Sequence, residues 1–459
     1  MIGFLFLTII ILVVAGFFTG RRRGYKFDSF SDVQAHSRPA YHGAYVALWV
    51  GIPAISYVLV WLLFQNSIID AMLRSSLDSV AVEGLDDQKI QLMIAEVKQV
   101  ARGQVFGEPS EAVFRTAEAY KTFQSTAKWA LFVSALALGM AGGAFALGRL
   151  APRFRARHGV ERIVRAVMVL CCLVALLTTA GIVFSLLFEA MRFFRFVSPV
   201  EFFFGLNWEP QIAIRADQVA SNGSFGAVPV FTGTILIAFI AMLVAIPIGL
   251  FSAIYLTEYA NPRFRAYVKP LLEILAGIPT VVYGFFAVLI VAPALRSAGA
   301  AVGLDVAPNG ALAAGAVMGI MIIPFVSSLS DDALGAVPSA MREGSYGLGA
   351  TKAETITQVL LPAALPGIVG GILLAVSRAI GETMIAVMAA GLIANLTANP
   401  FEGVTTVTVQ IVTLLIGDTE FDSPKTLAAF ALGLTLFVAT LCLNVAALKI
   451  VQKYREKYD

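Results

Sequence analysis

Residues 343–362 read EGSYGLGATKAETITQVLLP, a short polar island between two strongly apolar runs, 310–329 and 367–391. Each run is long enough to cross a bilayer, for which a helix needs about 20 residues. The island reads as two helices around a turn. Pro338 suits the first turn of a helix, where its missing N–H would have no partner. That helix is expected to run through Glu343 and stop near Gly347 and Gly349, since glycine tolerates the left-handed conformation of a helix end. Thr351 and Glu354 then form a Thr-x-x-Glu capping box for a second helix. The second helix carries Ile356, Val359 and Leu360 on one side and is expected to break at Pro362. A helix, a tight turn and a helix at a membrane surface make a rigid knob that a groove can grip. The same residues also describe an ordinary amphipathic surface loop.

Seven further apolar runs accompany these two, at 2–18, 44–64, 129–148, 166–188, 229–256, 271–293 and 427–451. The chain is 58% hydrophobic and only 14% charged, whereas soluble domains are near a quarter charged. The fold class is therefore an all-α polytopic membrane protein with about nine transmembrane helices. The first run has no basic region before it and ends in Arg21-Arg22-Arg23 rather than a small-residue cleavage site, so it reads as an uncleaved span rather than a signal peptide.

Orientation follows from the positive-inside rule. Segments 19–44, 149–165, 257–270, 330–366 and the tail from Lys449 carry 5, 6, 3, 2 and 4 lysines and arginines. The short loops between them, 189–228, 294–309 and 392–426, carry 5 in all. Residues 65–128 form a segment long enough to cross largely regardless of charge. The alternation places the amino terminus outside and the carboxyl terminus in the cytoplasm, with the 343–362 island on the cytoplasmic side.

The net charge of +3 is thus a topology signal and implies no nucleic-acid partner. Cys171, Cys172 and Cys442 fall within spans, where thiols act as small apolar residues, and no metal-ligand spacing occurs. His36, His42 and His158 sit singly in loops and receive no role. No G-x-x-x-x-G-K-[ST] phosphate loop is present, so the chain is read as a non-enzyme: any ATP hydrolysis belongs to a separate subunit.

Two parts are visible. Residues 1–165 hold three spans and an exterior segment, 65–128, in which Gln88 to Val97 shows apolar positions at helical spacing behind Asp86 and Asp87. A small helical exterior module is expected there. Residues 166–459 hold six spans. The loop after the fourth span is rich in rings (Phe193, Phe194, Phe196, Phe202, Phe203, Phe204, Trp208) and is read as an interfacial or re-entrant piece.

The eighth span contains Ser377-Arg378-Ala379-Ile380-Gly381-Glu382-Thr383. A charge at a helix centre costs about 2.5–3.5 kcal/mol on insertion scales. Arg378 and Glu382 are four apart, which puts them on one helical face within pairing reach. The five donors of arginine match a tetrahedral oxyanion and stay protonated at working pH. One reading sets Arg378 on a translocation path with Glu382 holding it; the other is a buried ion pair that fixes helix packing. Gly277 and Pro279 are expected to interrupt the sixth span, and Pro324 the seventh. Thr280, Tyr283, Ser327, Ser328 and Thr383 would then offer hydroxyls to a path.

The 343–362 island resembles the EAA motif of ABC-importer permeases: Glu343, then Gly344 and Ser345 where alanines are usual, Gly349, and Val359 before Leu361-Pro362. The Arg-Ala-x-Gly-Glu-Thr stretch in the eighth span resembles the signature of phosphate-specific permeases of the PstC and PstA kind. The surroundings are more similar to PstC: Met384 to Gly391, Gly277 to Phe286, and Phe231-Thr232-Gly233-Thr234. The likeness covers about 166–452. It implies that the last six spans form an ABC type I importer permease core with a coupling loop at 334–362. Glu343, Gly344, Ser345, Gly349, Thr351, Glu354, Leu361 and Pro362 would then shape the ATPase contact, with Arg378 and Glu382 on the phosphate path. It further implies a PstA-like second permease, a dimeric ABC ATPase carrying ATP-Mg, a periplasmic phosphate-binding protein, and the bacterial inner membrane as location. This chain would need no cofactor of its own. The first 165 residues are an extension beyond a short six-span member. Alternatives are a permease for molybdate, phosphonate or another oxyanion, an ion-coupled anion transporter, and a membrane scaffold or sensor.

Overall fold

The computed structural model describes residues 2–30, 36–76, 87–101, 103, 111–211, 223–416 and 422–454. Among the described residues nine helices are long and apolar enough to cross a membrane, and the only sheet is one antiparallel pair of two-residue strands. The chain divides into two compact units, Met1–Leu177 and Thr178–Asp459. The division falls inside one helix.

The first unit contains α1 (Ile2–Phe30), α2 (Pro39–Ser76), α3 (Asp87–Ala101), α4 (Glu111–Arg149) and the start of α5 (Ala156–Phe193). Helix α2 has 38 residues and α4 has 39, about 57 Å each at 1.5 Å per residue. The hydrocarbon layer is about 30 Å thick, so both helices project well beyond it. Their projecting ends meet α3 in a small core of Ile69, Leu73, Ile94, Val97, Val100, Val113, Ala117 and Tyr120, pinned by Lys98 on Asp70 at 2.7 Å. These helical segments fall within 65–128, of which residues 77–86, 102 and 104–110, Asp86 among them, lie outside the described residues. Deeper in the bundle, small residues let backbones touch, as in membrane helix packing generally. A side chain at Gly142 would collide with the Trp49 carbonyl, and one at Gly43 would come within 2.6 Å of the Phe17 carbonyl.

The second unit is built around α11 (Ala311–Gly335), the most buried of the spans. It packs against α7 (Val228–Ile254) because Gly315 and Gly319 leave room for Ile240 and Val244, whose Cβ atoms would lie 2.7 Å from an added Cβ. Ile237, Met318, Ile322 and Ile385 belong to the same core. Helix α7 ends in a π turn, Tyr255–Tyr259, closed by Ala260 N–H on the Tyr255 carbonyl at 2.8 Å.

Next come α8 (Pro262–Gly277), α9 (Thr280–Phe286), a π turn at Ala287–Val291 and α10 (Ala292–Ala301). The break at Gly277–Pro279 is present, and it moves the sixth crossing. The span runs over Thr280–Ala301 rather than from residue 271, because the residue before a proline is pushed to extended backbone; Ile278 has ψ 130°. Helix α8 is left as a separate amphipathic helix with no fully buried residue.

Pro324, in contrast, does not interrupt α11; it is buried within a continuous helix, where packing on all sides outweighs one lost backbone hydrogen bond. Beyond α11 lie α12 (Ser339–Gly347), α13 (Lys352–Thr355), a π turn at Ile356–Leu360 and α14 (Leu361–Ile380). Pro362 does not break the chain either. The wider π turn just before it relieves the ring's clash with the preceding turn, and the helix continues to Ile380. That crossing spans Lys352–Ile380, not 367–391.

The unit closes with α15 (Met384–Ala389), α16 (Val407–Leu415) and α17 (Pro424–Tyr454). The ring-rich loop forms α6 (Pro199–Phe204), β1 (Trp208–Glu209) and its partner β2 (Ser224–Phe225). Only some of its rings are left at the surface: Phe196, Phe203 and Phe204 are exposed, but Phe193, Phe202 and Trp208 are buried with Phe225, Leu414 and Leu427. Gln410 ties this region together, accepting from Trp208 Nε1 at 2.9 Å and donating to the Leu392 carbonyl at 3.0 Å. Cys171, Cys172 and Cys442 are free thiols on exposed helix faces.

Candidate functional site

The polar loop takes the helix–turn–helix form. Gly349 has φ +86°, the left-handed conformation that a side chain would oppose. The capping box closes in both directions: Thr351 N–H donates to Glu354 Oε2 at 2.7 Å, and Glu354 N–H donates to Thr351 Oγ1 at 3.4 Å. Thr351→Ala is expected to cost about 1 kcal/mol locally, read as faster hydrogen exchange of the 352–355 amides with the rest of the chain unchanged.

Ser345 is buried, its hydroxyl 2.9 Å from that of Thr355, so it clasps the two short helices instead of facing outward. Leu361 is half-buried against the Leu334–Leu360 core. Glu343, Gly344, Gly349, Thr351, Glu354 and Pro362 are exposed. Leu348, not singled out from sequence, is 92% exposed at the tip of the turn. The loop is anchored to the end of α7 by Arg342 on Glu258 at 2.8 Å and by Lys352 stacked 4.9 Å from the Tyr259 ring.

Arg378 and Glu382 do not pair. Helix α14 stops at Ile380 and Gly381 turns the chain, so the expected four-residue spacing is not realised on a helix. Glu382 Oε1 accepts instead from Met384 N–H at 3.0 Å, holding the first turn of α15, and the Glu382 carbonyl accepts from Thr408 Oγ1 at 3.0 Å. Arg378 is exposed, its guanidinium 5.6 Å from the Phe325 ring. Its donors are left toward open space rather than spent on a carboxylate. Thr383 follows Glu382 into α15, half-buried.

The remaining hydroxyls are scattered. Thr280 opens α9, half-buried. Tyr283 is buried and donates to the Leu275 carbonyl at 2.8 Å, bracing the α8–α9 break and not a path. Ser327 and Ser328 line a narrow cleft, about 20 Å³, beside Arg265, Lys269, Glu273 and Asp331, space for a single water.

That cleft adjoins a cluster missed from sequence. Asp331 is only 8% exposed, and three donors converge on it: Thr257 Oγ1 at 2.5 Å, Arg265 Nη2 at 2.8 Å and Lys269 Nζ at 2.7 Å. The Asp331 carboxylate holds the Lys269 ammonium above the ordinary lysine range. The available signals were an Asp pair at the end of an apolar run and two cations four apart on an amphipathic helix. Neither reveals that they meet across more than 60 residues.

Comparison with known proteins adds the following. A family model described as phosphate ATP-binding cassette transporter matches residues 6–178, ending where the two compact units divide. A second, described as binding-protein-dependent transport system inner membrane component, matches residues 245–456. The probable ABC transporter permease protein YqgH of Bacillus subtilis is 33% identical over 279 residues, 60% of this chain and 85% of that protein. The phosphate transport system permease protein PstC 1 of Mycobacterium tuberculosis is 32% identical over 290 residues, 58% of this chain and 85% of that protein. PstC of Xylella fastidiosa is 32% identical over 183 residues, 36% of this chain and 52% of that protein, about half its length.

Proposed function

Because the chain belongs to the PstC type of ABC-importer permease, we propose that it forms one half of an ATP-driven import path for inorganic phosphate. The observation that carries the proposal is Arg378: a guanidinium in an apolar span, paired with no carboxylate among the described residues, with its planar fork available to an oxyanion. Glu382 serves this site by fixing where α14 ends and α15 begins. The anion thus meets a cation on a structured break in the helix, the kind of irregular backbone tolerated at membrane depth where it faces a path.

In this reading the exposed helix–turn–helix, with Glu343 and Leu348 at its surface, docks a dimeric ABC ATPase that binds ATP-Mg. The lysine and arginine asymmetry supports a cytoplasmic position for that loop, with the opposite mouth in the periplasm of a bacterial inner membrane. A PstA-like permease supplies the other half of the path, and a periplasmic binding protein delivers phosphate. ATP hydrolysis stays on the partner subunit, and this chain carries no cofactor.

The test is radiolabelled phosphate uptake in cells whose only high-affinity importer depends on this chain, with and without ATP depletion, and with excess molybdate. Uptake that needs ATP and resists molybdate is the expected result. Absence of phosphate uptake with all partners present would overturn phosphate as substrate.

A further inference from the structure

Three consecutive residues of the π turn at the end of α7 reach three different elements. Thr257 donates to Asp331 of α11, the carboxylate that also receives Arg265 and Lys269 of α8. Glu258, only 5% exposed, pairs with Arg342 of α12 at 2.8 Å. Tyr259 lies under the ammonium of Lys352, the first residue of α13. One five-residue turn therefore holds both helices of the polar loop on one side and the α8–α11 clamp on the other.

Helix α8 is held by these polar contacts rather than by a buried apolar face. Helix α8 has no fully buried residue and is joined to α9 through the break at Ile278–Pro279. A Cβ at Gly277 would meet nothing within 4 Å, so no side chain packs onto Gly277 and the break is braced by the Tyr283 hydroxyl on the Leu275 carbonyl. Arg342 is incompletely satisfied where it stands: its Nε is buried with no acceptor. π turns are rare and occur often at functional positions, and a wider turn changes its hydrogen-bond register more readily than a regular helix.

We propose that the turn Tyr255–Tyr259 is the joint that carries movement of the polar loop to α8, with Glu258 and Asp331 as positioning residues that set how much anion is moved per ATP hydrolysed. The inference rests on the permease reading above. It assigns Glu258 the loop side of the joint and Asp331 the side that grips α8. Neither residue touches the transported anion in this scheme. Loss of either leaves the loop docked and continuous with its own span, but with its movement disconnected from α8.

The test uses the complete importer, with both permeases, the ATPase and the binding protein, reconstituted in liposomes. ATP hydrolysis and radiolabelled phosphate uptake are measured on the same preparation for wild type, Glu258→Gln and Asp331→Asn. Hydrolysis is expected to stay within about twofold of wild type while uptake falls roughly tenfold, inside the 5- to 150-fold range typical of coupling between sites. Reversing the pair, Glu258→Arg with Arg342→Glu, is expected to regain most of the uptake, a rescue that a merely structural loss would not give. Unchanged uptake per ATP in the single variants would overturn the joint, whether both activities persist or both fall in parallel. Absence of ATP-driven uptake in wild type would instead overturn the permease reading, and the joint with it.

Discussion

Replacing Arg378 with leucine is expected to abolish phosphate uptake while the importer still assembles and hydrolyses ATP. Leucine gives up the cation–π contact with Phe325, worth about 0.5–1 kcal/mol at an exposed site, while the α14 core residues Ala375 and Ala379 are untouched. Among the described residues no carboxylate loses a partner, because Arg378 is not tied to Glu382. What disappears is a charged fork available to the anion. A hydrogen bond to a charged group is worth about 1.5–3 kcal/mol, so losing one such bond in the path amounts to a loss of roughly 10- to 150-fold, and losing two to at least about 150-fold. Arg378→Lys keeps the charge without the bidentate geometry and is expected to fall between wild type and leucine. Uptake by the leucine variant at the wild-type rate would remove Arg378 from the path.

The second large effect is expected at the tip of the polar loop. Gly349→Pro imposes φ near −65° on a residue held at +86° and deletes the N–H that donates to the Tyr346 carbonyl at 2.9 Å. The turn should collapse, and the ATPase should no longer be recovered with the permease in a pull-down. Leu348→Asp provides the sharper comparison. Leu348 is almost wholly exposed and supports no core, so the aspartate variant should retain wild-type thermal stability yet lose the ATPase just as completely. Full recovery of the ATPase with Leu348→Asp would show that the tip of this loop is not the docking surface.

Local chemistry in this chain was legible where both halves of an interaction lie within one turn of a helix that the backbone does form. The capping box at Thr351 and Glu354 and the left-handed Gly349 follow from spacing alone. The nine crossings follow from apolar length, with the sixth and eighth displaced at their ends. Prolines were the less reliable markers: Pro279 does break the backbone, whereas Pro324 and Pro362 sit in helices that tolerate them, one through burial and one through a π turn. Pairing of Arg378 with Glu382 assumed a helix that extends past Gly381; the backbone turns there, and the carboxylate finds N–H groups closer than the guanidinium. Sequence could not place Asp331 with Thr257, Arg265 and Lys269, nor Glu258 with Arg342, since those contacts depend on how separate helices meet. The buried half of the Phe193–Trp208 rings was illegible for the same reason. Ring content resembles an interfacial belt whether or not a neighbouring helix covers it.

The unbroken run from Lys352 to Ile380 has a mechanical consequence. Lys352 lies in the polar loop and Arg378 near the far end, a separation of about 39 Å at 1.5 Å per residue. Such a rod acts as a lever arm. A tilt of only about 5° around its loop end would sweep the guanidinium sideways by roughly 3 Å, the length of one hydrogen bond. If Arg378 lies on the anion path as proposed, an angular stroke of that size would shift the anion's partner by a hydrogen-bond length without rearranging the helix itself.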